Sequence, residues 1–248
     1  MKIIKPPLLK EGDTIGILAP SGAMDDDTNL KRAITFFENR GYKIKLSNNV
    51  YSKERYLAGS DKERLDAVHK MFTDKSVNAI ICLRGGYGAI RLINKIDYDL
   101  IRKNPKIFCG YSDITALNAM FLKRAGLVTY SGPMILSDFG QESLNEYTVS
   151  KFFETVCGGK FDYEGTFWGG NLATLVSLCG QDFIPDFEFT LFLEDLNEPP
   201  YKIDKMVTQL FNIEKIRKNT KAIAIGDFLG CENIDYIFEE LDLPLIKN

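Results

Sequence analysis

Short apolar stretches alternate with amphipathic stretches in the first part of the chain. The apolar stretches have the length of strands, and the stretches between them repeat apolar residues at the spacing of helices. This alternation predicts the α/β class, with a parallel sheet covered by helices. The predicted strands are TIGILAP (14–20), YKIKLS (42–47), NAIICL (78–83), KIFCG (106–110) and, followed by a turn, LVTYSGPM (127–134); the predicted helices lie near 27–40, 61–73, 113–126 and 145–156.

A second set of helices and strands follows the pair Gly158-Gly159. The stretch GGKFDYEGTF is predicted to be a linker, and we expect a domain boundary near residue 162. The chain then has an N-terminal domain, 1–162, and a smaller α/β domain, 163–248. In the second domain, helices are predicted at 171–180, 204–213 and 233–241, and strands at 190–195 and 221–227.

Composition excludes several classes of protein. The 248 residues are 45% hydrophobic and carry a net charge of −3 with the two signs interspersed, so a nucleic-acid partner is not expected. The apolar run in the N-terminal stretch MKIIKPPLLKEGD is too short for a signal peptide and is interrupted by Pro6 and Pro7. No stretch has the length of a membrane span, so a cytoplasmic protein is predicted. The five cysteines form no CxxC pair, so most are expected to be reduced core residues.

The stretch KIFCGYSDITAL (106–117) runs from a strand through a turn at Ser112 directly into a helix. Two interpretations fit this pattern. Ser112 is an N-cap that accepts a free helical amide, or it is a nucleophile lifted out of a sharp turn that Gly110 permits. The second glycine of G-x-S-x-G is missing, so the spacing alone leaves both interpretations open.

A glycine-rich segment, Arg84-Gly85-Gly86-Tyr87-Gly88, follows the strand NAIICL. Glycines in this position let a ligand approach the backbone, whose amides then bind a phosphate or an oxyanion. A Walker loop needs a Lys-Ser/Thr pair that is missing here, and the first strand is followed by Pro20-Ser21-Gly22 rather than by a dinucleotide fingerprint. Neither nucleotide motif is present.

Several other polar residues have two interpretations. Glu194 and Asp195 end the strand LFLED, where α/β proteins place their ligands, although acids there also cap turns. Asn171 is interpreted first as an N-cap, and Trp168 as a core or interface aromatic. The single histidine, His69, lies in a charged amphipathic helix, where a structural role is expected.

Taken together, these segments resemble the LD-carboxypeptidases, also called muramoyltetrapeptide carboxypeptidases, a family that includes the microcin C immunity peptidases. The resemblance implies a two-domain α/β serine hydrolase with a Rossmann-like or flavodoxin-like N-terminal domain and an active site between the domains. It spans almost the whole chain, in the segments LKEGDTIGILAPSG, RGGYGAIRLI, GYSDITAL, YSGPM, GTFWGGNL, LFLEDLNEPPYKID and AIAIGDF.

The resemblance also implies roles for individual residues. Ser112 in GYSD is the nucleophile, Glu194 in LFLED is the acid that orients an imidazole, and the backbone amides of Asp113 and Gly86 form the oxyanion hole. Gly85 and Asn171 are predicted to contact the substrate. No metal and no cofactor are expected.

The implied catalytic histidine lies in a loop after a strand like LPLIKN, which is where this sequence ends. Either a longer protein carries that histidine, which we favour, or the chain is an inactive relative. The expected reaction is removal of the terminal D-alanine from muropeptide tetrapeptides in peptidoglycan recycling, by a homodimer. The alternatives are a microcin C-type immunity peptidase and an inactive module that binds muropeptides or anions.

Overall fold

The computed structural model describes residues 2–159 and 165–247. The chain divides into two compact units, Met1–Phe161 and Asp162–Asn248, and each is described by itself. The predicted boundary near residue 162 lies outside the described residues.

The first unit is built on four parallel strands in the order β2-β1-β3-β4 within residues 2–159. The two central strands consist almost entirely of buried residues, as expected when helices cover both faces of a parallel sheet. This confirms the predicted parallel α/β arrangement. The strands are β1 (Thr14–Leu18), β2 (Lys43–Leu46), β3 (Ala79–Cys82) and β4 (Ile107–Cys109).

Helices connect these strands, and most of them begin where the sequence predicts. Helix α2 starts with a capping box in which Ser60 and Glu63 satisfy each other's backbone amides. The predicted helix 113–126 is divided into a 3₁₀ turn (Ser112–Ile114), α4 and a π-helical turn (Phe121–Ala125). The other helices are α1 (Thr28–Glu38), α2 (Asp61–Thr73), α3 (Tyr98–Lys103), α4 (Thr115–Met120) and α5 (Glu146–Cys157), with short turns at Ala89–Arg91 and Ile135–Phe139.

The predicted strand in residues 127–134 is not formed. The chain pairs there only through isolated bridges, Ile4 with Leu127 and Cys109 with Tyr130. Pro133 has no amide to continue a ladder, and Gly132 lies close to the thiol of Cys109. This segment therefore runs beside β4 without becoming a strand.

The second unit is also a parallel α/β sheet, in the order β5-β6-β7-β8 within residues 165–247. Strand β5 was not predicted, because its sequence FWGGN contains a glycine pair that is typical of a loop. A Cβ at Gly169 would lie 1.9 Å from the Phe192 carbonyl oxygen, so only glycine allows the strand to pair there. The elements are β5 (Phe167–Asn171), α6 (Leu172–Ser177), β6 (Phe189–Leu196), α7 (Pro200–Phe211), α8 (Glu214–Asn219), β7 (Thr220–Leu229), α9 (Asp235–Glu239) and β8 (Leu245–Lys247).

Aromatic side chains form the centre of both cores. Trp168 is buried against Phe183 and Phe189, with ring centroids 5.8 and 4.8 Å away, which confirms the core interpretation. All five cysteines are free thiols, but only Cys82 and Cys109 are buried, so the expectation that most are core residues is wrong. Among the residues that the structure describes, no helix is long and apolar enough to cross a membrane.

Phe37 lies at the centre of the aromatic cluster between α1 and the turn at Ile135–Phe139. Its ring is fully buried, 4.8 Å from the ring of Phe139 and 5.0 Å from that of Phe36. We expect Phe37→Ala to lower the free energy of unfolding of this unit by about 3–5 kcal/mol, because it leaves a cavity. Urea denaturation measures the change. Tyr147→Ala, at a 72% exposed ring, should change it by less than about 0.5 kcal/mol.

Candidate active site

Two loops of the first unit meet at the carboxyl edge of its sheet. The segment RGGYG follows β3, and the segment GYSD follows β4. These strands are parallel neighbours, with Ile81 paired to Cys109, so their carboxyl ends lie side by side. Ligand sites in open α/β sheets form at this edge.

Ser112 has a left-handed backbone, with φ of +61°. This conformation is costly for a residue with a Cβ. Helix α4 takes Ile114 as its N-cap and has no side-chain cap, so the interpretation of Ser112 as an N-cap is wrong. Gly110 permits the bend, because a Cβ there would lie 3.0 Å from the Ile114 side chain and 3.1 Å from Cys82 Cβ.

Gly85 lies directly against the Ser112 side chain. A Cβ at Gly85 would lie 2.9 Å from Ser112 Cβ, 3.0 Å from Ser112 Oγ and 3.6 Å from the Asp113 amide nitrogen. The Gly22 amide donates to the Gly85 carbonyl at 3.2 Å. Thus the first unit brings Gly85, Ser112 and Asp113 into one small region.

Gly86 follows in the same loop with φ of +116°, and it is exposed. The amides of Gly86 and Asp113 donate no hydrogen bond within residues 2–159 and 165–247. Asp113 follows Ser112 directly, and Gly86 follows Gly85, which lies against the Ser112 side chain. Unbonded amides near a hydroxyl can stabilise the negative oxygen that forms when the hydroxyl attacks a carbonyl group. The arrangement is therefore suited to acyl transfer.

The Asp113 side chain points away from solvent, in contrast to its free amide. Its Oδ2 accepts hydrogen bonds from Ser21 Oγ at 2.5 Å and from the Ala89 amide at 2.8 Å. Burial raises the pKa of Asp113, and these two bonds oppose the rise. The family resemblance implies a role only for the amide of Asp113, and the sequence indicates no role for Ser21.

In the second unit, Glu194 of β6 pairs in register with Asn171 of β5. Burial, reinforced by the negative charges of Asp195 and Asp227, raises the pKa of Glu194 to about 7. Its buried Oε1 has no hydrogen-bond partner among the described residues. A buried carboxyl oxygen without a donor is unusual in folded proteins and is a candidate functional group.

Neighbouring polar residues of this unit have structural roles. Asn171 Oδ1 accepts from the Thr174 amide at 3.0 Å, which confirms that it caps α6. Asp195 accepts from the Ala173 amide at 2.9 Å and from Asn171 Nδ2 at 3.0 Å, so it holds the same helix start. Of the two adjacent acids, only Glu194 retains a buried oxygen without a described partner.

His69 is half-buried on α2, in agreement with the structural role predicted for it. Its Nε2 accepts from the Asp97 amide at 3.0 Å, at the start of α3. Within the described ranges, no group of three or more His, Cys, Asp or Glu side chains could hold a metal ion.

The strained backbone of Ser112 predicts that glycine is more stable than alanine at this position, the opposite of the order in a helix. Ser112→Gly should be more stable than Ser112→Ala by about 1 kcal/mol, because glycine adopts φ of +61° without steric cost. Urea denaturation of both variants measures the difference. The control is Ser150, an exposed position in α5, where glycine should instead be the less stable by about 0.5–1 kcal/mol. Equal stabilities at position 112 would contradict the strain.

The raised pKa of Glu194 predicts a pH-dependent stability. The folded protein keeps a proton on Glu194 that the unfolded chain releases near its ordinary value of 4.5. The stabilising contribution is therefore complete below that pH and is lost as the pH rises through about 7. We expect the unfolding free energy of the wild type to fall relative to Glu194→Gln over this window, in denaturation curves at each pH. Glu188→Gln, at an exposed carboxyl, is the control; parallel curves for wild type and Glu194→Gln would contradict the prediction.

Comparison with known proteins identifies the family. The model of the LD-carboxypeptidase N-terminal domain matches residues 15–132, and that of the C-terminal domain matches residues 164–246. A Bacillus subtilis (strain 168) protein named "Probable murein peptide carboxypeptidase" is 38% identical over 243 residues, covering 92% of this chain and 76% of that protein.

Solved structures agree with the sequence comparison. An MccF-like protein from Bacillus anthracis superposes with a TM-score of 0.91 at 30% identity, covering 99% of this chain and 89% of the other. A muramoyltetrapeptide carboxypeptidase from Oxalobacter formigenes superposes with a TM-score of 0.83 at 33% identity, covering 95% and 87%. The chain belongs to the LD-carboxypeptidase family.

Proposed function

We propose that the protein is a serine carboxypeptidase that hydrolyses the L,D peptide bond to the terminal D-alanine of murein tetrapeptides. The observation that carries the proposal is the strained Ser112 turn, with Gly85 against its side chain and the amides of Gly86 and Asp113 unbonded. A projecting hydroxyl and unbonded amides are two of the parts that nucleophilic attack on a carbonyl requires.

In the proposed reaction, Ser112 Oγ attacks the carbonyl carbon of the scissile bond while an imidazole takes its proton. The carbonyl oxygen becomes an anion and accepts from the amides of Gly86 and Asp113, and removing one such donor typically costs about 100- to 1000-fold in rate. The imidazole then gives the proton to the departing D-alanine amine. Water hydrolyses the acyl-serine in a second round of the same steps. The chemistry requires no metal or cofactor.

Glu194 is proposed to orient the imidazole. Its buried Oε1 has no donor among the described residues, and its pKa is raised to about 7. An imidazole N–H that donates to this oxygen would favour the ionised carboxylate and fix the tautomer of the ring. His69 already accepts from the Asp97 amide through Nε2, so it is not proposed as this imidazole.

The substrate is proposed from two relatives. The Bacillus subtilis relative is named for murein peptides, and the Oxalobacter formigenes structure is a muramoyltetrapeptide carboxypeptidase. A microcin C-type substrate is the second candidate, because an Escherichia coli relative that is 26% identical over 91% of this chain and 80% of its own length is named "Microcin C7 self-immunity protein MccF". Gly85 and Asn171 are proposed to contact the substrate. A cytoplasmic location is proposed on the sequence alone, and a homodimer on the family resemblance alone; light scattering tests the dimer.

The activity predicts the effect of two substitutions in the complete protein. Ser112→Ala should lower kcat for D-alanine release from a murein tetrapeptide by about 1000-fold or more, because the nucleophile is lost. Glu194→Gln should lower kcat by a smaller factor and leave the protein folded. Chromatographic detection of D-alanine released from the tetrapeptide measures the effect of both substitutions. Chromatography of the cleavage products of a peptidyl nucleotide, given to the same wild-type preparation, then ranks the two substrates.

Two controls accompany this experiment. Ser150→Ala removes an exposed hydroxyl from α5, and His69→Ala removes the ring that accepts from Asp97. Both variants should keep kcat close to that of the wild type. Undiminished D-alanine release by Ser112→Ala would refute the nucleophile, and tight muropeptide binding without turnover by the complete wild type would favour the inactive binding module.

A further inference from the structure

Three loops of the first unit are tied together beneath the Ser112 turn. One follows β1 and contains Pro20 and Ser21, and one follows β3 and contains Gly88 and Ala89. The third is the turn after β4, which carries Ser112 and Asp113. Two buried side chains, those of Asp113 and Arg64, connect the loops.

Asp113 joins the β1 and β3 loops to its own turn. Its Oδ2 accepts from Ser21 Oγ at 2.5 Å and from the Ala89 amide at 2.8 Å. Ser21 and Ala89 are fully buried, and Asp113 is 7% exposed. A single carboxylate oxygen therefore fixes one residue of each loop relative to the nucleophile turn.

Arg64 of α2 joins the same two loops at the preceding residues. Its Nη1 donates to the Pro20 carbonyl at 2.7 Å and to the Gly88 carbonyl at 2.8 Å, and its side chain is fully buried. Its Nη2 donates to Asp61 at 2.6 Å, which fixes the guanidinium from the helix side. In each loop, Arg64 therefore holds one residue and Asp113 holds the next: Pro20 and Ser21 in the first loop, Gly88 and Ala89 in the second.

The backbone between these contacts has little freedom to move. Gly88 has φ of +130°, and a Cβ there would lie 2.8 Å from Arg64 Nη1. At the other end of the segment, Gly22 donates to the Gly85 carbonyl, and a Cβ at Gly22 would lie 2.7 Å from that oxygen. The position of Gly85 and Gly86 is consequently set by the contacts on both sides of them.

We propose that Arg64, Asp113 and Ser21 are positioning residues that hold the Gly85-Gly86 backbone against Ser112, so that the oxyanion donors are aligned before substrate binds. The inference rests on the proposed function. The three side chains act through the loops rather than on the reacting atoms. Burying a guanidinium and a carboxylate is costly in free energy unless they are hydrogen-bonded. Arg64 Nη1 and Nη2 and Asp113 Oδ2 have such bonds, whereas Arg64 Nε is buried without a partner among the described residues.

Loosening this network should affect the chemical step more than binding. A misplacement of about 1 Å at reacting groups can cost about 100-fold in rate. We therefore expect Ser21→Ala and Asp113→Asn to lower kcat for D-alanine release by about 10- to 100-fold, with KM within about threefold. Asp113→Asn keeps an oxygen for the Ala89 amide, so it should retain more activity than Asp113→Ala.

The experiment combines steady-state kinetics with hydrogen exchange in the complete protein. Peptides covering residues 84–89 should exchange faster in Ser21→Ala and Asp113→Asn, while peptides of α5 are unchanged. The control is Asn145→Ala, which removes the side chain that accepts the Thr148 amide at the start of α5. It should lower stability comparably without changing kcat or exchange in 84–89.

Each outcome decides the proposal. Lower kcat together with faster local exchange supports it, and a lesser loss in Asp113→Asn than in Asp113→Ala strengthens it. A kcat within twofold of the Asn145→Ala control, or exchange that rises uniformly over the unit, overturns it. If the Asp113 variants do not fold, Ser21→Ala decides alone. Exchange does not depend on turnover, so an inactive wild type would refute the proposed function while the positions of the loops are still tested.

Discussion

The close contact between Gly85 and the Ser112 side chain is the constraint on which the site depends. Any side chain at position 85 would overlap Ser112 Cβ or Oγ. The Ser112 turn, with its φ of +61°, could then not be accommodated beside this loop. The two features require each other, because the turn projects the hydroxyl and the glycine makes room for it. The parallel sheet brings the two loops together, because β3 and β4 end side by side.

Much of this could be predicted from the sequence. Apolar stretches that alternate with amphipathic helices indicate the parallel sheets, and the segments RGGYG and GYSD follow adjacent strands in both the sequence and the structure. The serine turn itself was ambiguous between cap and nucleophile. The backbone angle at Ser112 and the actual cap of α4, Ile114, exclude the cap, while the nucleophile stays a prediction.

Other features could not be predicted because they depend on contacts between distant parts of the chain. The bond from Ser21 to Asp113 joins residues 92 positions apart, and no local pattern signals it. Strand β5 is not predicted because Gly169 and Gly170 are typical of loops. Glycine is needed at position 169 because β6 passes too closely for a side chain. Residues 127–134 have strand-like composition, yet the chain there forms only isolated bridges.

The adjacent acids at the end of β6 have different surroundings although both interact with Asn171. Asp195 holds the start of α6 by accepting from the Ala173 amide, while Glu194 keeps a buried oxygen without a partner among the described residues. The register of β6 is therefore as important as its composition. Inserting or deleting one residue upstream in that strand would shift both acids by one position, so the start of α6 would lose the acceptor that Asp195 provides.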